Sequence, residues 1–426
     1  MDDPTPIALP LLGPMDRRRF LGAVGAGSVA IAATAWLQPG ALLGRAAAAS
    51  APATTSNVIV EIFLRGAADG LSLLAPLGDP TLQTARPGVA ITDDIALRVD
   101  DHFGLHPAMT RIKGLFDAGR AAFVPAAGSP NPNRSHFSAQ AMMERGSATD
   151  ASLTTGWLGR YLAATAATTE DPLRGVGIGN GLAASLRGST AIATPNLRSL
   201  SLTSPGTGAS STQLQTALRA MYPEATSESL RDAAAAGLDV VAEVAPITAT
   251  SSPPATWPTG PGAALWPIAK LLTEGFPVEI ATVDLGGWDE HDAMGSPTDP
   301  NGNQTRLVAG LDAAIGAFFD WIGDAAARTT VIVNTEFGRR IALNGSGGTD
   351  HGRGMVMMVL GGGVAPGVHG DWPGLVDTDA GDVRVVNDYR RVYAEVLGRR
   401  GRHLDLSTVF PGFDTSSRNW IGVTSS

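Results

Sequence analysis

The chain has 426 residues, 44% of them hydrophobic and 17% charged, which is enough for one large hydrophobic core or two smaller ones. Its formal net charge of −9 argues against binding to nucleic acid or to anionic membrane surfaces. The chain has no cysteine, which excludes disulfides and thiol chemistry.

The N-terminus has the pattern of an export signal. Asp16-Arg17-Arg18-Arg19-Phe20-Leu21 resembles a twin-arginine motif, an apolar Gly/Ala-rich stretch runs from Leu21 to Leu37, and Ala46 to Ala49 fit a cleavage site. We therefore predict that residues 1–49 are a twin-arginine signal peptide and that the mature protein is periplasmic, cell-surface or extracellular. The alternative is a membrane anchor, but this short run is diluted by small residues, so we expect no stable span after processing.

The first part of the mature chain is predicted to alternate strands and helices. Asn57 to Leu64 is rich in β-branched residues and predicts a first strand. A helix is predicted from His106 to near Gly119, followed by a short strand from Ala121 to Pro125. The Pro/Asn-rich loop from Gly128 to Arg134 then leads into a helix that continues to Glu144.

Residues 163–262 are less regular. They are rich in Ala, Thr, Ser and Pro, with helical patterns near Gln213–Met221 and Leu230–Val244 and a low-complexity loop from Thr250 to Pro261. We interpret them as an insertion without chemistry of its own, inside a single domain that spans residues 50–426.

Strands and helices alternate again in the C-terminal half. The predicted strands are Val278–Val283, Thr330–Val333 and Met355–Leu360, and the predicted helices are Leu265–Glu274, Leu307–Ile322 and Asp388–Leu397. This alternation is typical of an α/β fold with a mainly parallel central sheet and helices on both faces.

Carboxylates, histidines and one serine flank the predicted strands. The candidates are Asp69, Ser135, His136, Asp289, His291, Glu336, Asp350 and His351. Since ligands bind beyond the carboxyl ends of strands in such sheets, we expect these side chains to lie on one rim. Mixed carboxylate and imidazole ligands suit zinc, manganese or a similar divalent ion.

Each candidate also has a purely structural interpretation. Asp69 is typical of a glycine turn, Ser135 is typical of a helix N-cap, and Asp350 is typical of a turn cap. Asp289 could pair with His291 inside one loop, and Glu336 could pair with Arg339 or Arg340. His102, His106, His369 and His403 fit surface or turn positions, so we leave them out of the site.

Several short motifs together resemble the domain-of-unknown-function 1501 family. They are Leu64-Arg65-Gly66-Ala67-Ala68-Asp69-Gly70, Leu105-His106-Pro107, Ser135-His136-Phe137, Gly156-Trp157-Leu158-Gly159-Arg160, Gly287-Trp288-Asp289-Glu290-His291, Glu336-Phe337-Gly338-Arg339 and Asp350-His351-Gly352. The resemblance covers nearly all of residues 57 to 400. It implies an alkaline phosphatase-like three-layer sandwich, from a superfamily that hydrolyses or transfers phosphate and sulfate esters with divalent metals.

The resemblance also implies roles for single residues. Asp69, Asp289, His291, Glu336, Asp350 and His351 are expected metal ligands, although Glu336 stands where the superfamily commonly has an Asp-His pair. Ser135 takes the place of the nucleophile, His136 is a further expected catalytic residue, and Arg339 or Arg65 could bind the substrate anion, since guanidinium matches tetrahedral oxyanions. The chain could not form the cysteine-derived formylglycine of sulfatases.

Two functions are consistent with the sequence. The first is an exported hydrolase that uses zinc, manganese, magnesium or calcium and acts on small or polymeric phosphate or sulfate esters. The second is a non-catalytic exported protein that uses the same scaffold to bind a glycan, a polymer or a cell-surface partner. The short spacing of Asp289 and His291 and the presence of Glu336 favour the second.

Overall fold

A computed structural model describes residues 8–9, 13–14, 56–166, 171–201, 211–221, 228–248 and 252–425. The predicted signal peptide lies outside the described residues, apart from the paired two-residue strands Ala8–Leu9 and Gly13–Pro14. Export therefore stays a prediction. Among the described helices, none is both long enough and apolar enough to cross a membrane.

A nine-stranded sheet forms the centre of the domain. Its strands are β1 Val58–Leu64, β2 Ala121–Gly128, β3 Gly175–Ile178, β4 Ile192–Thr194, β5 Ile280–Leu285, β6 Thr329–Asn334, β7 Met355–Gly361, β8 Gly367–Val368 and β9 Asn387–Asp388. Their order across the sheet is β8-β2-β7-β6-β1-β5-β3-β4, and β9 also pairs with β2. Only β7 runs antiparallel to its neighbours, so the predicted mainly parallel sheet is confirmed.

Helices cover both faces of this sheet. They are α1 Gly70–Leu73, α2 Pro80–Ala85, α3 Thr110–Asp117, α4 His136–Arg145, α5 Trp157–Ala164, α6 Ser211–Met221, α7 Glu228–Thr248, α8 Pro261–Thr273, α9 Asn303–Ile322 and α10 Tyr389–Arg400. Side chains alternate along β1, so that Val60 and Ile62 pack in a core with α3, α8 and α9, while Ile59 and Phe63 pack in a second core with α5 and α10. The α/β class with two covered faces is therefore confirmed.

Two features differ in detail from the sequence prediction. The helix predicted to start at His106 begins at Thr110. His106, expected at a surface or turn position, is 1% exposed and begins a turn, in which its carbonyl accepts from the Met109 N–H at 2.8 Å. Its Nδ1 accepts a hydrogen bond from the Ala108 N–H at 3.1 Å, and burial lowers its pKa to about 4. Residues 163–262, expected as a less regular insertion, contribute β3 and β4 to one edge of the sheet.

The sheet directions place the candidate segments at one edge. Parallel β1, β2, β5 and β6 end at that edge, at Leu64, Gly128, Leu285 and Asn334. The antiparallel β7 begins there at Met355, so the segment before β7 reaches the same edge. Four segments, which follow β1, β2 and β5 and join β6 to β7, therefore meet at the carboxyl end of the sheet.

Candidate metal centre

A loop with successive side-chain-to-backbone hydrogen bonds leads into α4 and His136. The Asn131 N–H donates to Ser129 Oγ at 3.2 Å, the Asn133 N–H to Asn131 Oδ1 at 3.0 Å, and the Ser135 N–H to Asn133 Oδ1 at 2.8 Å. Such bonds fix short Asn- and Ser-rich turns. The first residue of α4 therefore has a defined position over the sheet edge.

Four donor atoms converge at this edge. Nε2 of His351 lies 3.0 Å from Nε2 of His136 and 2.9 Å from Nε2 of His291. Oδ1 of Asp289 lies 3.0 Å from Nε2 of His291, 3.2 Å from that of His351 and 3.4 Å from that of His136. The sequence predicted all four residues for the site, with His136 in a catalytic role.

The opposite nitrogen of each imidazole faces an oxygen acceptor. The Nδ1 contacts are His136 with Glu336 Oε1 at 2.7 Å, His351 with the Arg134 carbonyl at 3.0 Å, and His291 with Asp350 Oδ1 at 3.3 Å. Carbonyl and ionised carboxylate oxygens only accept, so each neutral ring carries its proton on Nδ1 and presents a lone pair at Nε2. Three lone pairs and one anionic oxygen therefore lie close together, and such an arrangement suits a cation.

The geometry also fits a small ion. A tetrahedral shell with metal–ligand bonds of about 2.0–2.1 Å places its ligand atoms roughly 3.3–3.4 Å apart. The donor atoms of His136, Asp289 and His351 lie 3.0 to 3.4 Å from one another and form a group that could hold a metal ion, and His291 Nε2 lies 2.9 and 3.0 Å from two of them. Three imidazoles suit zinc or a similar transition-metal ion better than calcium or magnesium, which prefer oxygen ligands.

Asp289 and His351 have the charge states that a metal ligand needs. Burial raises the pKa of Asp289, but the hydrogen bond from Arg339 and the contact with His351 outweigh it and lower that pKa to about 2. Burial lowers the pKa of His351, and the nearby positive charge of Arg339 lowers it further, against the opposing effect of the Asp289 carboxylate beside it. The carboxylate is therefore anionic and this imidazole neutral near pH 7.

Glu336 lies behind the donor atoms as a partner of His136. Its side chain is buried, and it accepts hydrogen bonds from the Gly66 N–H at 3.0 Å, from Gln140 Nε2 at 2.9 Å and from Thr335 Oγ1 at 3.0 Å. The structure thus places Glu336, a predicted ligand, where it orients a histidine. Asp350, another predicted ligand, plays the same part for His291 and accepts from Asn344 Nδ2 at 3.1 Å.

Gly66 permits the close approach of two of these loops. Its φ of 116° lies in the region that favours glycine, and a Cβ there would lie 2.5 Å from the backbone nitrogen of Asp289. The same residue donates its N–H to Glu336 and accepts from Arg339. The glycine of the first motif therefore brings the end of β1 against the loop after β5.

Arg339 is buried, and its side chain makes hydrogen bonds to several of these loops. Its guanidinium donates to the carbonyls of Gly66, Ala67 at 2.7 Å, Trp288 at 3.1 Å and Thr349 at 2.9 Å, and to Asp289 Oδ1 at 2.6 Å. The guanidinium N–H groups that donate these bonds are the same groups that an anionic substrate would need as hydrogen-bond donors. The structure therefore places Arg339 as a fixed support of Asp289, and its predicted part in anion binding finds no support here.

Asp69 and Ser135 have other surroundings. Both carboxylate oxygens of Asp69 contact the Arg86 guanidinium, and Asp69 also caps α1 through the Leu71 N–H at 3.1 Å. Ser135 is the exposed N-cap residue of α4, and its side chain makes no capping hydrogen bond. Asp69 is thus not among the converging donors, while Ser135 adjoins one of them.

Sequence reasoning missed several supporting residues. Gln140 could have been found, because it lies one helical turn after His136 and so shares its face. No sequence signal marks Arg86, Asn344 or the Arg134 carbonyl, since their roles depend on how separate loops pack.

Comparisons with known proteins identify a family and show solved structures that are similar to this chain. The family described as "Protein of unknown function (DUF1501)" matches residues 56–399. A crystal structure described as a protein in the alkaline phosphatase superfamily from Vibrio parahaemolyticus is 12% identical, with 93% of this chain and 78% of that chain covered and a TM-score of 0.36. The search of curated proteins gave no match.

Proposed function

This chain belongs to the DUF1501 family, and on that premise we propose that it is an exported, zinc-type metalloprotein that hydrolyses phosphate or sulfate esters. One observation carries the proposal: His136 Nε2, His351 Nε2 and Asp289 Oδ1 converge with His291 Nε2 close to two of them, while each imidazole is held from behind by an acceptor. A histidine oriented by a carboxylate or carbonyl is the usual support of a metal ligand.

A divalent ion bound there supplies Lewis-acid stabilisation of negative charge on the ester oxygens. The centre is open to solvent on one side, because the Asp289 and His291 side chains are 48% and 44% exposed. A substrate can therefore reach it without prior opening of the fold. Glu336 and Asp350 keep their imidazoles in the tautomer that binds a cation.

Ser135 is the proposed nucleophile. It immediately precedes His136, it is exposed, and it lies at the first turn of α4, where backbone N–H groups favour an incoming anion. Ser135 Oγ would form the new bond to phosphorus or sulfur while the bond from that atom to the alcohol oxygen breaks, and the serine proton would leave on the released alcohol. Water would then hydrolyse the seryl ester, which releases phosphate or sulfate and restores the serine.

Metal content and turnover test the proposal together. Zinc-replete expression followed by elemental analysis is expected to give about one ion per chain, from the four converging donors. A panel of phosphate and sulfate esters is expected to show turnover that Ser135→Ala removes, with Ser138→Ala as the matched control on the same helix. Turnover that survives Ser135→Ala would remove this serine from the reaction.

A second candidate function is a non-catalytic exported binding protein. The observation in its favour is that His291 adds a fourth protein donor beside the group of His136, Asp289 and His351, since a shell made of four protein ligands is typical of structural zinc sites. A stoichiometric ion without turnover on any ester would support it.

A further inference from the structure

The motif that supplies Ser135 and His136 ends in Phe137, which neither the core nor the metal centre uses. Its side chain is 87% exposed, whereas most large apolar side chains of the described chain are buried. Burying a phenylalanine stabilises a protein by about 1.5–3 kcal/mol, and this position forgoes that gain.

Phe137 has a fixed position next to the metal centre. It follows His136 in the first turn of α4, so its ring lies on the order of 10 Å from the converging nitrogen atoms. The turns between Ser129 and Ser135 order the approach to the helix, and the hydrogen bond between His351 and the Arg134 carbonyl ties that approach to the centre. An exposed aromatic ring on such a support is preorganised for contact.

Phe137 shares one side of α4 with two residues whose side chains contact the loops around the centre. Gln140, one turn further along, points at Glu336, and Glu144 after it contacts Arg65 at 2.9 Å. Residues 137, 140 and 144 share one face of α4 because they are three and four positions apart. Phe137 is therefore the member of this face that projects beyond the sheet edge.

We infer that Phe137 forms an apolar subsite beside the metal centre, and that the ester substrate carries an aryl or bulky alkyl group next to its anionic head. This inference rests on the proposed function and adds the class of organic group. An aromatic ring recognises such a group through apolar burial and ring contacts, which together favour it by about tenfold over a methyl group.

The test uses two non-hydrolysable anions with the same head, methylphosphonate and phenylphosphonate, titrated calorimetrically into the zinc-loaded full chain. The wild type is expected to bind phenylphosphonate about tenfold more tightly. Phe137→Ser is expected to reduce that preference to about twofold or less, with zinc content and methylphosphonate binding unchanged. Phe137→Leu is expected to keep part of the preference.

Trp321→Ser is the matched control, because Trp321 is another exposed aromatic residue, 41% exposed, at the end of α9 that leads to the opposite edge of the sheet. An unchanged preference in Phe137→Ser, or an equal loss for both anions, overturns the inference and leaves the metal centre standing. A zinc-loaded wild type that binds neither anion overturns both the inference and the proposed ester activity. A change of oligomeric state in Phe137→Ser also overturns the inference, by assigning the ring to contact with a second copy.

Discussion

His136 Nδ1 lies 2.7 Å from Glu336 Oε1, and this contact joins residues 200 positions apart. It links the loop after β2 to the end of β6. The contact explains why a glutamate at the end of β6 does not need to bind the metal in order to belong to the site.

Glu336→Gln tests this link. The amide can still accept from the imidazole but lacks the charge that increases its basicity, so zinc affinity is expected to fall about 10- to 100-fold with the fold retained. Competition with a chromophoric chelator measures the affinity. Glu274→Gln, an exposed carboxylate at the end of α8, is the control. Equal affinity in both variants would mean that Glu336 does not orient a ligand.

Loss of a donor should have a larger effect. His351→Ala removes the imidazole that contacts both other imidazoles, so zinc affinity is expected to fall by a factor of about 100 or more. The stabilisation of the wild type by zinc, about 2.7 kcal/mol at a zinc concentration 100 times Kd, should disappear. Elemental analysis after dialysis and thermal unfolding with and without zinc measure both effects. His403→Ala, at an exposed histidine, should behave as wild type.

Asp69 is predicted to contribute to stability rather than to metal binding. Its carboxylate and Arg86 form a buried pair, with side chains 4% and 1% exposed, so Asp69→Asn and Arg86→Met should each lower the unfolding free energy by about 3–5 kcal/mol. Zinc content should stay at the wild-type value in both. Selective zinc loss in Asp69→Asn, with zinc retained in Arg86→Met, would instead make Asp69 a ligand, as the sequence suggested.

Glu61 predicts a pH dependence of stability. It is buried between Tyr393 Oη at 3.1 Å and Asn334 Nδ2 at 3.2 Å, and burial, followed by the charge of Glu144, raises its pKa to about 7. The folded state therefore retains a proton between about pH 4.5 and 7 that the unfolded state releases. The unfolding free energy should fall as pH rises through this window, by up to about 3 kcal/mol.

Glu61→Gln should flatten that dependence, because the amide does not titrate. Urea unfolding at pH 5 and pH 8 measures it, and the wild type should lose more stability between the two values than the variant. Glu274→Gln again serves as the exposed control. Parallel pH profiles for wild type and Glu61→Gln would show that Glu61 does not have a raised pKa in the folded state.

The sequence by itself determined the fold class and the edge of the sheet at which the candidate residues lie. Buried β-branched runs such as Val58–Leu64 form strands wherever they pair, and alternation with amphipathic helices leads to a parallel sheet. Polar residues placed just after such strands must lie at the carboxyl edge, so Asp289, His291, His136 and His351 could be grouped without coordinates.

Only the tertiary structure decided which groups converge at one point and which groups orient them. Ligand and supporting partner differ by a few ångströms and by the direction of a side chain, and these depend on how loops from different strands pack. Glu336 turns towards His136 because the Gly66 N–H and Gln140 hold it there, and Asp69 turns towards Arg86, a residue with no sequence signal. The order of residues along the chain determines at which edge of the sheet a side chain lies. Contacts between distant segments determine which atom that side chain faces.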